Sequence, residues 1–246
     1  MSELVYSTVI SPNDQMWASG GQWYFDIGRS ALECITRALA AAHIIPQRIL
    51  DLPCGHGRVC RMLTAAYPSA RVTVSDLDRD GVDFCAREFG AEALYSEDDL
   101  ARVAVGRQFD LIWCGSLFTH LDRERWPEFL GFFADRLAPD GVLVFTTHGR
   151  QPIQWMRDSF FDYGLSRDEQ EAMIAGYVTG GFGFVSPSNQ AFGLSLSSIP
   201  FVCSELERWP CLRLIGVHEH GWAGHQDVFS CQRLRTEYPT RYTLGR

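Results

Sequence analysis

Apolar positions along this chain alternate between two periodicities. From residue 23 to 42, Phe25, Ile27, Leu32, Ile35, Ala38 and Leu39 recur at near-helical spacing, which predicts an amphipathic helix ended by Pro46. Short apolar runs and helical patterns then take turns. Residues 48–52, 71–75, 93–95, 109–114 and 141–147 read as strands, and 59–67, 80–89 and 125–137 as helices, with a weak helical turn at 98–105. Strands joined by helical crossovers predict a doubly wound parallel sheet, because parallel neighbours need a connection long enough to hold a helix.

The pattern changes beyond residue 150. Residues 151–210 hold one helical stretch, 167–177, followed by a run rich in Gly, Ser and aromatics from Gly180 to Ser198. So long an excursion reads as a lid over a site rather than a second domain. Residues 212–217 and 227–234, separated by Gly221-Trp222-Ala223-Gly224, read as a closing antiparallel hairpin. The expected organisation is a single domain over 1–246: an N-terminal covering helix region (1–47), a nucleotide-binding core (48–150), the lid insertion (151–210), and the hairpin with its tail (211–246).

Composition narrows the possible partners. A net charge of -8 without a Lys/Arg run provides no basic footprint for a nucleic acid, so none is expected. No stretch approaches the roughly 20 apolar residues of a membrane span. The start, Met1-Ser2-Glu3-Leu4, lacks the charged segment and apolar run of a secretory signal. Eight cysteines without a CxxC pair are scattered through the predicted core, as expected of free buried thiols in a reducing cytoplasm. Nothing in the composition specifies an oligomeric state.

The chemistry concentrates at Arg48-Ile49-Leu50-Asp51-Leu52-Pro53-Cys54-Gly55-His56-Gly57-Arg58. A strand ending in an acid, a Gly-x-Gly turn and a helix start let backbone approach a nucleotide-like ligand closely. Asp76 ends the next strand about 20 residues later, where a carboxylate accepts ribose hydroxyls. This much fits a nicotinamide dinucleotide or S-adenosylmethionine. Three features favour the latter: Pro53 replaces the first glycine and the third is absent, Glu97-Asp98-Asp99 follow the third strand, and the sheet closes with a hairpin instead of a second mononucleotide half.

In these residues the chain resembles the class I S-adenosylmethionine-dependent methyltransferases. The stretch 51–58 is similar to the family's first motif, Val74-Ser75-Asp76 to its second, Ser96-Glu97-Asp98 to its third, and 109–116 to its fourth, while 137–143 resembles the turn before the fifth strand. The resemblance implies a Rossmann-like α/β fold with a seven-stranded sheet of order 3-2-1-4-5-7-6. It implies that Gly55 and Gly57 line the methionine moiety, that Asp76 binds the ribose, and that Asp51, Pro53, Arg58 and Leu77 also belong to the cofactor site. Glu97 or Asp98 would meet the adenine, and Cys114 or Gly115 would offer backbone to the amino-acid end. Before the first strand, Tyr24 and Arg29 are expected to reach the cofactor carboxylate.

The implied activity is methylation of a small molecule, with O-methylation of a sugar or hydroxylated natural-product intermediate the leading expectation. Alternatives are N-methylation of a metabolite or peptide, a NAD-dependent oxidoreductase, and a non-catalytic binding subunit. Transfer to oxygen needs an in-line approach and often a base. His148 after the fifth strand, His120 after the fourth and His225 in the hairpin loop are the candidates, all at the sheet edge where open α/β sheets place substrates. His218-Glu219-His220, near His225 and Asp227, raises a metal site, but the spacing matches no recognised ligand pattern and none is expected. Lid aromatics, among them Trp155, Phe182, Phe184, Phe192, Phe201 and Trp209, either line an acceptor pocket or form the insertion's own core.

Overall fold

The computed structural model of the protein describes residues 4–17, 21–103, 105–188 and 192–235. The expected tail therefore lies outside the described residues from 236 onward, as do the first three residues of the N-terminal region.

Helix α1 (Gln22–Ala42) precedes β1 (Arg48–Asp51), α2 (Cys60–Ala66), β2 (Arg71–Asp76), α3 (Arg79–Phe89), β3 (Glu92–Tyr95), β4 (Phe109–Cys114), α4 (Trp126–Arg136) and β5 (Leu137–Thr147). The insertion supplies α5 (Arg150–Arg157), α6 (Arg167–Gly180), β6 (Phe182–Val185), β7 (Leu194–Ser197) and α7 (Ile199–Leu206). Strands β8 (Leu212–Trp222) and β9 (Gln226–Arg233) close the chain. The main sheet runs β3-β2-β1-β4-β5-β9-β8, parallel except where β9 pairs antiparallel with β5 and β8. This is the expected order, renumbered because the lid contributes two strands of its own.

Side-chain alternation builds three layers. Ile49, Val72, Leu111 and Val142 occupy paired positions and bury against the apolar faces of α1, α2 and α3. Their neighbours Leu50, Ile112 and Leu143 point to the opposite face, against Trp126, Phe129 and Phe133 of α4 and Val202 of α7. A strand buried on both faces reads as a continuous apolar run, which is why these strands were legible. Helix α1 presents Ile27, Ala31, Cys34, Ile35 and Ala38 to the sheet and ends at His43, in the left-handed region with φ 56°. Helix α3 starts where Asp78 caps it, accepting from the Asp80 amide.

Two regions depart from the sequence pattern. The turn expected before the fifth strand, at 137–143, lies inside β5, where Asp140 takes φ 65° and the pairing with β4 shifts register. A Cβ on Gly141 would lie 2.8 Å from the Phe109 carbonyl, so this position brings two backbones together rather than reversing the chain. The lid is also richer than its periodicity indicated. Helix α6, with a Ser166/Glu169 capping box, was visible, but α5, α7 and the β6–β7 hairpin were not. Phe201 is buried, Phe182 half-buried, and both pack on Trp126. Trp209 lies under Gly131. These three lid aromatics are core.

Candidate functional site

The carboxyl ends of β1, β2 and β4 build one half of the site. Gly55 has φ 50° and Gly57 φ 83°, conformations that favour glycine. At Gly55 a Cβ would point into open space, so the turn's outer face is a cleft wall. At Gly57 it would collide with the Phe89 ring and lie 2.9 Å from Cys85 Sγ. Asp76 anchors the turn: its Oδ2 accepts from the Gly55 amide at 2.8 Å and its Oδ1 from the Asp78 amide at 3.0 Å. Each oxygen keeps a lone pair, and burial raises the Asp76 pKa against the pull of those amides. Leu77 beside it is an exposed apolar side chain, 47% accessible.

Asp51 closes β1 and is buried, with neither carboxylate oxygen hydrogen-bonded. Burial, then Cys85 and Asp76, push its pKa well up, while Arg58 pulls it down. The Arg58 guanidinium lies 5.9 Å from the Tyr24 ring centroid and 5.7 Å from that of Trp222, with no hydrogen bond to a described residue. Burial lowers its pKa. It is thus a partly desolvated cation beside the glycine turn with donor capacity to spare. Gly28 of α1 packs on the Arg58 carbonyl, where a Cβ would lie 2.5 Å away.

The structure gives other expected cofactor residues different surroundings. The Tyr24 hydroxyl is buried and donates to Asp14 at 2.6 Å. Arg29 donates to Tyr6 at 2.6 Å and pairs with Asp26. Glu97 and Asp98 are exposed after β3; Glu97 faces Arg79 at 4.0 Å, and the Asp98 carbonyl accepts from Arg125. Cys114 is fully buried, and Gly115 lies against the Trp113 indole. Pro53 follows Leu52, whose amide donates to the Trp113 carbonyl at 3.0 Å and so ties the turn to β4.

The ends of β4, β5 and the β8–β9 hairpin build the other half. His148 is buried after β5, and its ring centroid lies 5.0 Å from that of His225 and 5.2 Å from that of Tyr163. The Tyr163 hydroxyl and His225 Nε2 are 2.7 Å apart, and Trp155 stacks on His225 at 4.6 Å. Burial drives the His148 pKa well down, helped by His225 and His120, and pushes His225 down to about 4. Burial lowers His120 too, against the pull of the Gly193 carbonyl 2.9 Å from its Nδ1. All three rings are therefore neutral at neutral pH and able to accept a proton.

The lid fixes this cluster from above. Strand β7 donates from the Ser195 amide to Thr119 and from the Ser197 amide to the His148 carbonyl, both at 2.8 Å. The buried Ser195 hydroxyl donates to the Phe118 carbonyl at 2.9 Å. Beneath it, Thr146 Oγ1 accepts from the Ser116 amide at 2.8 Å and donates to Gln226 Oε1 at 2.6 Å, while Gln226 Nε2 donates to Ser116 Oγ at 2.9 Å. This closed network holds Ser116 at φ 64° on the β4 edge. Sequence reasoning missed Tyr163, Thr146, Ser116 and Gln226 as site residues. Gln226, between the noted His225 and Asp227, and Ser116, at the end of the 109–116 motif, carried a signal.

Near the cluster, one ligand atom each of Glu219, His220 and Asp227 lies within 4.8 Å of the others. Arg150 already occupies both Glu219 oxygens, at 2.6 and 2.8 Å. His218 is not part of this group, because β8 is irregular between His218 and Trp222 and His220 takes φ 53°, which breaks the alternation that would set the two histidines on one face. A separate cavity of about 440 Å³ lies within the insertion, lined by Met156, Arg157, Phe160, Phe161, Gln170 and Ile174 among others. Phe160 packs on Trp155 and Phe161 on Tyr163, so its rim adjoins the histidine cluster.

Comparison with known proteins matches residues 49–141 to a family described as methyltransferase domain. The chain is 26% identical over 135 residues to a malonyl-[acyl-carrier protein] O-methyltransferase of Bacillus anthracis, covering 54% of this chain and 49% of that protein. It thus spans about half the length of this relative. Among solved structures, an S-adenosylmethionine-dependent methyltransferase from Clostridium acetobutylicum superposes with a TM-score of 0.61 at 12% identity, over 90% of this chain and 96% of that one. A 1,6-didemethyltoxoflavin-N1-methyltransferase of Burkholderia thailandensis, solved with its substrate and S-adenosylhomocysteine, gives 0.57 at 14% identity over 94% of each chain. At these identities the solved structures establish the shared fold.

Proposed function

The chain belongs to the class I S-adenosylmethionine-dependent methyltransferase family, and on that premise we propose that it methylates a hydroxyl group of a small molecule, a sugar or a hydroxylated natural-product intermediate. The observation that carries this reading is the meeting of two half-sites at one sheet edge: a glycine turn with an adjacent carboxylate and an uncommitted guanidinium, and a cluster of neutral histidines.

The residues present fit the cofactor. Asp76, with free lone pairs at the cleft edge, would accept the ribose hydroxyls, and exposed Leu77 beside it would lie against the nucleoside. The open face at Gly55 would admit the methionine chain, and Arg58 would pair with its carboxylate. Glu97 and Asp98, exposed after β3, would meet the adenine, and the backbone at Cys114 and Gly115 would serve the amino-acid end. Tyr24 and Arg29 act at one remove, Tyr24 by walling Arg58 and Arg29 by holding the segment at Tyr6. When bound, S-adenosylmethionine supplies an electrophilic methyl group on a sulfonium centre.

The acceptor end favours a hydroxyl over a carboxylate. Among the described residues, the ring cluster joins His148, His225, Tyr163 and Trp155 without an arginine, and nearby Arg150 is already paired with Glu219. A carboxylate brought here would be desolvated without a counter-charge, at a cost of several kcal/mol (~). A hydroxyl needs only an acceptor for its proton. His148 would hydrogen-bond that hydroxyl and take its proton on a ring nitrogen, while His225, held by Tyr163 and Trp155, and His120, held by the Gly193 carbonyl, would orient the acceptor. Flat aromatic walls with polar tips match the alternating CH faces and hydroxyls of a sugar ring.

The test is incubation with S-adenosylmethionine and a panel of hydroxylated and carboxylated acceptors, read by mass spectrometry of the methylated product. Methyl ethers from hydroxyl acceptors are expected. Turnover confined to methyl esters or to N-methylated products would refute the hydroxyl assignment.

A further inference from the structure

We propose that Cys54 and Cys85 form an oxidisable thiol pair under the glycine turn, a modification site at which a peroxide joins them as a disulfide and thereby lowers the turn's affinity for its nucleoside ligand. The pair spans the turn and α3. Cys54 Sγ donates to the Gly55 carbonyl at 3.3 Å and Cys85 Sγ to the same oxygen at 3.7 Å. The two sulfurs thus converge on one carbonyl oxygen, in a buried cluster that also holds Cys60 at the start of α2. All three are free thiols.

Cys85 is wedged where movement is transmitted. Its sulfur lies 2.9 Å from where a Gly57 Cβ would be, and the backbone of Gly81, also on α3, abuts the Gly55 carbonyl. Pulling the two sulfurs into a bond removes both from the Gly55 oxygen. The turn cannot follow without disturbing the Gly55 amide that Asp76 holds. Access runs through the cleft: Cys54 is 6% exposed, whereas Cys60 and Cys85 are fully covered. The neighbouring Cys54 and Cys60 thiols, then His56 and Arg61, draw the Cys85 pKa down and favour a thiolate there.

The chemistry balances with peroxide as the named oxidant. The Cys85 thiolate takes the Cys54 proton, and the Cys54 sulfur, the one with access to the cleft, attacks a peroxide oxygen; an S–O bond forms, the O–O bond breaks, and the departing hydroxide takes the proton from Cys85 as water. The Cys85 thiolate then attacks the Cys54 sulfenic sulfur, the S–S bond forms, and a second hydroxide leaves and is protonated by solvent. The thiol pair is oxidised by two electrons and peroxide is reduced to two waters.

Treatment of the reduced protein with hydrogen peroxide, followed by peptide mapping and calorimetry with S-adenosylhomocysteine, tests this. Expected are a Cys54–Cys85 linked peptide, a roughly tenfold or greater loss of affinity, and recovery with dithiothreitol. Cys85→Ser should form no such peptide and keep its affinity after peroxide, and Cys54→Ser should do the same should the first variant fold poorly. Cys60→Ser should still form the link. Because the linked peptide is read independently of any cofactor, a failed switch is distinguishable from a failed cofactor assignment. Absence of the linked peptide, or its formation with unchanged affinity, overturns the proposal.

Discussion

At the scale of single residues, charge state decides what the acceptor site can do. His225 owes its low pKa to burial, and its midpoint is expected near about 4. Titration of the histidine ring signals by NMR checks this directly, and a midpoint near the ordinary value of about 6.5 would contradict the burial argument. The linkage sign follows. Between the unfolded value and about 4 the unfolded chain binds the extra proton, so this ring's contribution to stability falls as pH drops through that window. His148 shifts in the same direction, and both rings stay neutral at pH 7. Replacing His148 with alanine is expected to lower kcat by roughly 10²–10⁴ with cofactor affinity intact, the range of a lost general base. Unchanged kcat would remove His148 from the chemistry. The candidate bases were legible in the sequence because each follows a strand. Tyr163 was not, because it enters the site from the insertion, 62 positions away from the His225 it meets.

At the scale of elements, the glycine turn and α3 act as one unit. Gly57 is the most constrained position there, with φ 83° and the Phe89 ring and Cys85 Sγ filling the space a side chain would need. Gly57→Ala is expected to cost about 1–3 kcal/mol, measured as a lowered denaturant midpoint at constant m-value. An unchanged midpoint would show that Phe89 yields without penalty. Arg61 reinforces the same unit: it is buried, donates to the Gly57 carbonyl at 3.1 Å and, at 2.9 Å each, to the Ser7 and Val9 carbonyls. It thereby straps the N-terminal segment to the turn. That strap carries no apolar periodicity, so no pattern in the sequence marks it. The strands and α1 to α4 were legible because their apolar residues repeat at the spacing of the face they bury. In the insertion, short elements such as β6 and β7 take their register from contacts with Thr119 and His148, far off in sequence.

At the scale of the whole molecule, the antiparallel β9 and the lid bring the two half-sites to one edge. Asp227 pairs with Thr147 in the sheet while the adjoining turn carries His225, so the order of strands itself places this histidine beside His148. Topology was readable from the motif order, but the closure of β7 over the edge was not, since no local pattern encodes docking between distant strands. Binding of S-adenosylhomocysteine is expected to slow amide exchange in the 52–58 turn and at the end of β2, with much smaller change in β6 and β7, which belong to the acceptor half. Protection concentrated in β6 and β7 instead would move the cofactor to the other half-site.

Titration calorimetry with S-adenosylhomocysteine on the wild type and on Asp76→Ala tests whether the turn at 51–58, with Asp76 and Arg58, holds the methyl donor. One saturable site is expected in the wild type, and an affinity lower by roughly tenfold or more in the variant, with its fold retained. No binding by the wild type at millimolar ligand, or equal affinity in the two proteins, would contradict that role of the turn.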